Sequence, residues 1–131
     1  MIKKAAKQLD ITPDKLTFCP VTFFNKKIGG KWRLTLIYHL VNTKLRFGEL
    51  SYRIPGISRK VLTENLKQME GDGLIIRTSY NEVPLKVEYS LSQSSMDLFP
   101  LFQEIAVWAG KFSKNLKAVD CPILKRALQN K

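Results

Sequence analysis

The feature that most restricts the fold is a switch in apolar periodicity close to residue 72. Before the switch, apolar side chains recur every three or four residues, as they do on one face of a helix: Leu62, Leu66 and Met69. After it, residues 74–80 are rich in strand formers and residues 87–91 alternate apolar with polar side chains. This pattern predicts two antiparallel strands joined by a loop at 81–85. The chain must therefore place a β-hairpin directly after an amphipathic helix.

The residues at the ends of this helix are typical of helix boundaries. Ser58 is a good N-cap, and the Gly-Asp-Gly segment at 71–73 ends the helix. A shorter helix precedes it, with apolar residues at i, i+3 and i+7 from Phe47 and a Pro-Gly stop at 55–56. Two short helices across a tight turn, followed by a hairpin, are the plan of a winged helix-turn-helix. The second helix of the pair is then the recognition helix.

Further helices are expected on both sides of this unit. Residues 32–41 form a helix so apolar that it must be buried from several sides, and residues 42–45 form a polar turn. Ser92 caps a long final helix that runs to about Lys117, and Pro100 bends it unless it lies in the first turn of a later start. The predicted class is mainly α with a small β-hairpin (α+β).

The final helix carries an apolar stripe that needs a partner surface. Such a helix packs either on its own domain or against a second copy, and we favour a shared interface in a homodimer. The stripe consists of Leu98, Leu101, Phe102, Ile105, Trp108 and Phe112. We divide the chain of 131 residues into an arm at 1–18 that contacts the dimer partner, a winged helix-turn-helix DNA-binding domain at 19–92, a dimerisation helix at 93–117 and a basic tail at 118–131.

The charge balance indicates a polyanionic partner. Twenty-two Lys and Arg residues oppose eleven Asp and Glu residues, so the formal net charge is +11. This net charge exceeds the value of about 2–8 that is sufficient to keep a small domain soluble. It favours nucleic acid, an acidic membrane face or an acidic protein. No segment reaches the ~20 apolar residues of a membrane span, and residues 1–10 lack the apolar run of a secretory signal, so we expect a cytoplasmic protein with no membrane partner.

Polar residues on the recognition helix and the hairpin are the candidate contacts to double-stranded DNA: Ser58, Arg59, Lys60, Thr63, Glu64, Lys67, Arg77 and Lys86. Arg and Lys donate to guanine, Thr contacts polar edges or a thymine methyl, and Glu accepts from cytosine or orients a basic neighbour. The N-terminus of the recognition helix also attracts phosphate. Arg77 and Lys86 belong to the hairpin, the wing, where a cation reaches phosphate or the minor groove. The sequence does not separate base contacts from phosphate contacts.

A series of fragments keeps one order from Cys19 to about Gly110: CP at 19–20, IGGKW at 28–32, RFGEL at 46–50, IPGISRKVLT at 54–63, EGDGLI at 70–75 and EVPLKVEYSL at 82–91. In these fragments the chain resembles the HxlR family of bacterial regulators. The resemblance implies a dimeric winged-helix regulator that controls nearby genes. It also implies that N- and C-terminal helices build the dimer.

Cys19 is a second candidate site. Several members of that family sense oxidants or electrophiles through a cysteine at this Cys-Pro position, so the resemblance implies a thiol sensor. The alternative is a small buried residue near the dimer seam. Sensing needs a lowered pKa, and Lys15, Lys26 and Lys27 are close to Cys19 in sequence.

The soft ligands of the chain are too few for a structural zinc site, which needs about four of them. They are Cys19, Cys121 and His39. We therefore expect no metal and no cofactor, and Cys121 lies outside the matching fragments and receives no role.

Two other functions compete with sequence-specific DNA binding. An enzyme is disfavoured because the sequence has no nucleophile elbow, no phosphate-binding loop and no pair of carboxylates with a histidine in reach. The main alternative is a basic winged-helix module that binds RNA or an acidic protein partner without sequence-specific DNA readout. The expected partners are double-stranded DNA, a second copy of the chain and, as a signal, an electrophile, an oxidant or another small-molecule effector.

Overall fold

The computed structural model describes residues 19–113, which form six helices and one two-stranded antiparallel sheet. The elements are α1 (Pro20–Ile28), α2 (Arg33–His39), α3 (Phe47–Arg53), α4 (Arg59–Gly71), β1 (Ile75–Tyr80), β2 (Lys86–Leu91), α5 (Gln93–Met96) and α6 (Phe99–Phe112). Their order confirms the predicted winged helix-turn-helix of the mainly α class. The predicted arm at 1–18 and tail at 118–131 lie outside the described residues. None of the helices between residues 19 and 113 is long and apolar enough to cross a membrane.

The core lies around α2, which is covered on several sides as its composition predicts. Leu36 and Ile37 are fully buried. Leu40 and Val41 stay buried although the helix ends at His39, two residues before its predicted end. Side chains of α3 and α4 join the same cluster: Leu50, Leu62, Leu66 and Met69. Because each large apolar side chain buried in this way contributes about 1.5–3 kcal/mol, the cluster holds α4 firmly against the body of the domain.

Both ends of α4 are capped as the sequence predicts. The Ser58 hydroxyl accepts a hydrogen bond from the Val61 amide at 3.1 Å. At the other end Gly73 has a φ of 78°, and the Leu74 amide donates to the Met69 carbonyl at 2.9 Å. A bond of this span across a left-handed glycine is a Schellman motif, which satisfies a carbonyl that the last turn leaves unpaired. The caps explain why the recognition helix begins and ends where it does.

The hairpin presents two different faces. Its register places Arg77 opposite Tyr89 and Tyr80 opposite Lys86. Because successive side chains of a strand point to opposite faces, Arg77 and Lys86 lie on opposite sides of the sheet. The side that carries Arg77 also carries the buried Ile75, so it faces the core.

The predicted turn at 42–45 is wrong at its last residue. The Leu45 amide donates to the Tyr89 carbonyl at 3.0 Å, and the Tyr89 amide donates back to Leu45 at 2.8 Å. Leu45 is buried and forms a bridge at the edge of β2. A single leucine in a polar segment shows no alternation, so the sequence contains no local signal for this pairing.

The single final helix predicted from residue 92 to 117 is also wrong, because two helices occur there. α5 is one turn long after its N-cap Ser92, and α6 begins at Phe99 with Pro100 in its first turn. Proline lacks an amide hydrogen and fits a first turn, where amides have no helical partner, so the alternative of a later start is correct. α6 ends at Phe112, and residues 114–117 lie outside the described range.

Candidate nucleic-acid interface

α4 divides into a buried apolar face and an exposed polar face. Its apolar stripe packs in the core, whereas every predicted contact on or beside this helix is exposed: Ser58, Arg59, Lys60, Thr63, Glu64 and Lys67. The first turn combines unpaired amides, the positive end of the helix dipole and the cations of Arg59 and Lys60. Such an arrangement attracts phosphate. The exposed face thus combines anion-binding groups with side chains that can contact base edges.

The Thr63 hydroxyl is engaged within α4. It donates to the Arg59 carbonyl at 2.7 Å, the bond that Thr commonly forms with the residue one turn before it. The methyl group and the lone pairs of the hydroxyl oxygen remain for an outside partner. Thr63 is therefore better suited to contact a thymine methyl, or to accept a hydrogen bond, than to donate one.

A groove of about 370 Å³ lies between α4 and the hairpin. It is lined by Thr63, Leu66, Lys67, Glu70, Arg77 and Tyr89. The structure therefore brings Arg77 together with Lys67 of the recognition helix, although the sequence grouped Arg77 with Lys86 on the wing. Sequence reasoning missed Glu70 and Tyr89, since their place in the groove depends on the register of the hairpin. Two cations on facing walls are suited to hold a nucleic-acid backbone between them.

Lys86 lies on the outer face of the hairpin. Its ammonium group lies 4.8 Å from the centroid of the Tyr80 ring, within the range of a cation–π contact. A hydrogen bond to the Glu88 carboxylate raises the pKa of the Tyr80 hydroxyl, because the bond favours the protonated phenol. Lys86 is thus held beside an aromatic ring and near a carboxylate, and it is separated from the Arg77 groove by the sheet.

Cys19 is the N-cap of α1 and is partly exposed. Thr22, first through its backbone amide and then through its hydroxyl, lowers the pKa of the Cys19 thiol, because these donors stabilise the thiolate. Lys26 and Lys27 lie in the last turn of α1, at the end opposite Cys19, so they do not take the role that their sequence position suggested. Lys15 lies outside the described residues. An accessible thiol with a lowered pKa has the properties of a reactive cysteine.

The predicted dimer stripe on α6 divides between two environments. Leu98 and Phe102 pack inward, and Phe102 is 5% exposed, with its ring 5.4 Å from that of Tyr38. Phe102 therefore belongs to the core of its own chain and offers little surface to a partner. The other members are exposed and form what we call the α6 patch: Leu101, Ile105, Trp108 and Phe112. Trp108 and Phe112, 63% and 78% exposed, stack with ring centroids 5.0 Å apart.

Arg33 joins α1 to the last turn of the recognition helix. Its guanidinium donates to the Lys27 carbonyl at 2.8 Å and to the Asp72 carboxylate at 2.7 Å. A third bond reaches the Gln68 side chain at 3.3 Å. The bond from Arg33 holds the pKa of Asp72 below its usual value. Sequence reasoning missed this contact because Arg33 and Asp72 are 39 residues apart, and each alone looks like a solvated charge.

Comparison with known proteins relates these features to a family. The HxlR-like helix-turn-helix family matches residues 27–117. The chain is 37% identical over 112 residues to the HTH-type transcriptional regulator YdeP of Bacillus subtilis (strain 168). This match covers 86% of the chain and 88% of YdeP.

Solved structures share the fold. A transcriptional regulator of the MarR family from Porphyromonas gingivalis W83 matches with a TM-score of 0.68 at 39% identity, over 76% of this chain and 94% of that one. The redox regulator HypR in its oxidized form matches with a TM-score of 0.66 at 40% identity, over 71% of this chain and 96% of that one. These similar proteins are regulators, which confirms the prediction that the chain is not an enzyme.

Proposed function

The chain belongs to the HxlR-like helix-turn-helix family of transcriptional regulators, and we propose that it acts as a homodimer on a palindromic operator in double-stranded DNA. The observation that carries the proposal is the exposed polar face of α4, whose opposite face is held in the core. On this face Arg59 and Thr63 contact base edges, and Lys60 and Lys67 hold phosphates. Glu64 accepts from cytosine or orients a basic neighbour.

The wing adds contacts that position the protein on the duplex. Arg77 lies across the groove from Lys67, so a phosphate that enters the groove meets cations from both the helix and the strand. Lys86 contacts the backbone from the outer face of the hairpin. Neither contact selects a sequence by itself, since phosphates are alike at every base pair.

The α6 patch is the proposed dimer interface. An exposed apolar surface that includes two stacked aromatic rings is costly in water and typical of an association site. A twofold dimer presents two copies of α4 to DNA. Their half-sites then lie about one helical turn apart, roughly 34–36 Å, or a multiple of that. The arm at 1–18 is expected to add to the same interface.

Cys19 is the proposed signal-sensing residue. It is accessible, its thiol has a lowered pKa, and its helix α1 is tied through Arg33 to the end of α4. HypR, which resembles this chain, is a redox regulator. An oxidant or electrophile that modifies Cys19 would disturb the start of α1 and, through this connection, the recognition helix.

Selection from a random library of duplexes, at one stated salt concentration, tests the DNA proposal. We expect an enriched palindrome, and Arg59→Ala should reduce its preference over a shuffled duplex by about 5- to 150-fold, the value of one good base contact of ~1–3 kcal/mol. Lys31→Ala removes the same charge from the exposed turn between α1 and α2 and should leave the preference unchanged. Salt-sensitive binding with no enriched motif, or tighter binding to single-stranded RNA, would instead favour the basic-module alternative.

The thiol proposal has its own matched control, because the chain has a second cysteine outside the described residues. The purified protein is treated with diamide or with a quinone, and operator affinity is measured before and after treatment. The Cys121→Ser variant should respond as the wild type does, whereas Cys19→Ser should not respond. An unchanged response in Cys19→Ser would exclude Cys19 as the sensor without affecting the DNA proposal.

A further inference from the structure

We propose that Phe47 is a positioning residue for sequence readout, because its ring holds the Arg59 guanidinium at the start of the recognition helix. The carbon at the centre of this guanidinium lies 4.9 Å from the centroid of the Phe47 ring. This is well inside the distance of about 6 Å that defines a cation–π contact. The inference rests on the proposed function, in which Arg59 contacts a base.

The contact joins the two helices of the helix-turn-helix motif at their N-termini. Phe47 is the first residue of α3, and Arg59 is the first residue of α4. Phe47 is partly buried and packs against the core, so its ring is a fixed support. Arg59 is exposed and extends from the turn that faces DNA in this motif.

The hydrogen-bond donors of Arg59 lie at the edge of its guanidinium. All five N–H groups lie in the plane of the group, so a contact through its face does not use them. One ion pair occurs among residues 19–113, and it joins Arg33 to Asp72. Among these residues, therefore, no carboxylate is paired with the Arg59 guanidinium. In the proposed arrangement the guanidinium contacts the Phe47 ring through its face, so the contact orients the fork that binds O6 and N7 of guanine without blocking it.

The orientation of the Arg59 guanidinium affects the preference for the operator over other duplexes more than it affects the affinity for DNA in general. An unsupported arginine contacts phosphates in many conformations and binds all sequences similarly. A guanidinium held in one plane loses less side-chain freedom when it pairs with guanine, so the correct base gains more than a wrong base does. Lys60, the next residue, has a flexible ammonium and serves as a comparison, because its loss should weaken all duplexes alike.

The test measures affinity for the selected operator and for a shuffled duplex of the same length, in the same salt. Phe47→Leu removes the ring and keeps an apolar side chain, and Phe47→Tyr restores the ring. Phe47→Leu should reduce the operator preference about two- to fivefold, as expected from one exposed cation–π contact. Phe47→Tyr should keep the preference, and both variants should bind the shuffled duplex as the wild type does. In an Arg59→Ala background, Phe47→Leu should have no further effect on the preference.

Several outcomes would overturn the inference. A loss of affinity that is equal on both duplexes, or a loss of preference that adds to that of Arg59→Ala, would show that Phe47 acts only through packing. If Arg59→Ala lowers the preference and Phe47→Leu does not, this inference fails while the proposed function stands. If the wild type prefers no duplex at all, the proposed function fails, and the inference with it.

An NMR measurement examines the stack even if Phe47→Leu does not fold. The side-chain Hε resonance of Arg59 in the free wild-type protein should be shifted upfield by the ring current of Phe47, relative to an arginine without a ring neighbour. The shift should persist in Phe47→Tyr. A resonance at the position typical of a solvated arginine would refute the stack directly.

Discussion

Replacement of Ser58 by alanine should lower the free energy of unfolding, because it removes the N-cap of the recognition helix. The change removes the hydrogen bond of 3.1 Å from the Val61 amide, while the helical bond from the Leu62 amide to the Ser58 carbonyl at 2.9 Å remains. Because this hydrogen bond is exposed, water can take the place of the lost acceptor. The cost should therefore lie in the lower half of the range for N-caps, about 1 kcal/mol. For a domain of this size that lowers Tm by about 4 °C.

Thermal and urea unfolding at one protein concentration measure this effect, since the stability of a dimer depends on concentration. Ser58→Asp retains an acceptor and should keep the stability of the wild type. Its negative charge at the start of α4 should nevertheless weaken DNA binding, because in the proposed complex this helix end lies near phosphate. Ser94→Ala, at an exposed position of α5, is the control for loss of a serine hydroxyl and should change stability by less than about 0.5 kcal/mol.

Two results would refute this reasoning separately. If Ser58→Ala unfolds at the same temperature and urea concentration as the wild type, the Ser58 hydroxyl does not stabilise α4. If Ser58→Asp binds operator DNA as tightly as the wild type, the N-terminus of α4 does not lie near the phosphate backbone.

Other variants examine the wing, the dimer and the ion pair. Lys86→Ala should weaken binding to all duplexes alike and reduce the slope of log affinity against log salt by about 1, and an unchanged slope in a salt titration would contradict its place on the wing. Trp108→Ser should shift the dimer toward monomer in sedimentation, because it removes the largest side chain of the α6 patch; an unaffected dimer would exclude that patch as the interface. Asp72→Asn should lower stability above the unfolded-state pKa of about 3.9. The difference from the wild type should vanish as the pH falls through the lower folded-state pKa, since the Asp72 carboxyl is then as neutral as the amide of the variant; urea unfolding between acid and neutral pH measures it.

Much of the fold could be predicted because its signals are local. The start of α4 at Ser58, its end before Gly73 and the two strands after it depend on caps, on a left-handed glycine and on periodicities of a few residues. The exposed face of α4 follows from the same pattern, since its apolar stripe determines which side is buried. In this way the sequence indicated which residues could contact DNA before any tertiary contact was known.

The amino-acid sequence by itself thus determined the order of the helices, the hairpin and the polar face of the recognition helix. Tertiary structure alone decided where Arg77 lies relative to α4, that Arg33 pairs with Asp72, and that the Phe47 ring lies next to the Arg59 guanidinium. It also assigned Phe102 to the core. The physical reason is that caps and periodicity act within one or two turns of chain. Ion pairs, ring contacts and grooves depend instead on how distant elements pack, and no short stretch of sequence encodes that.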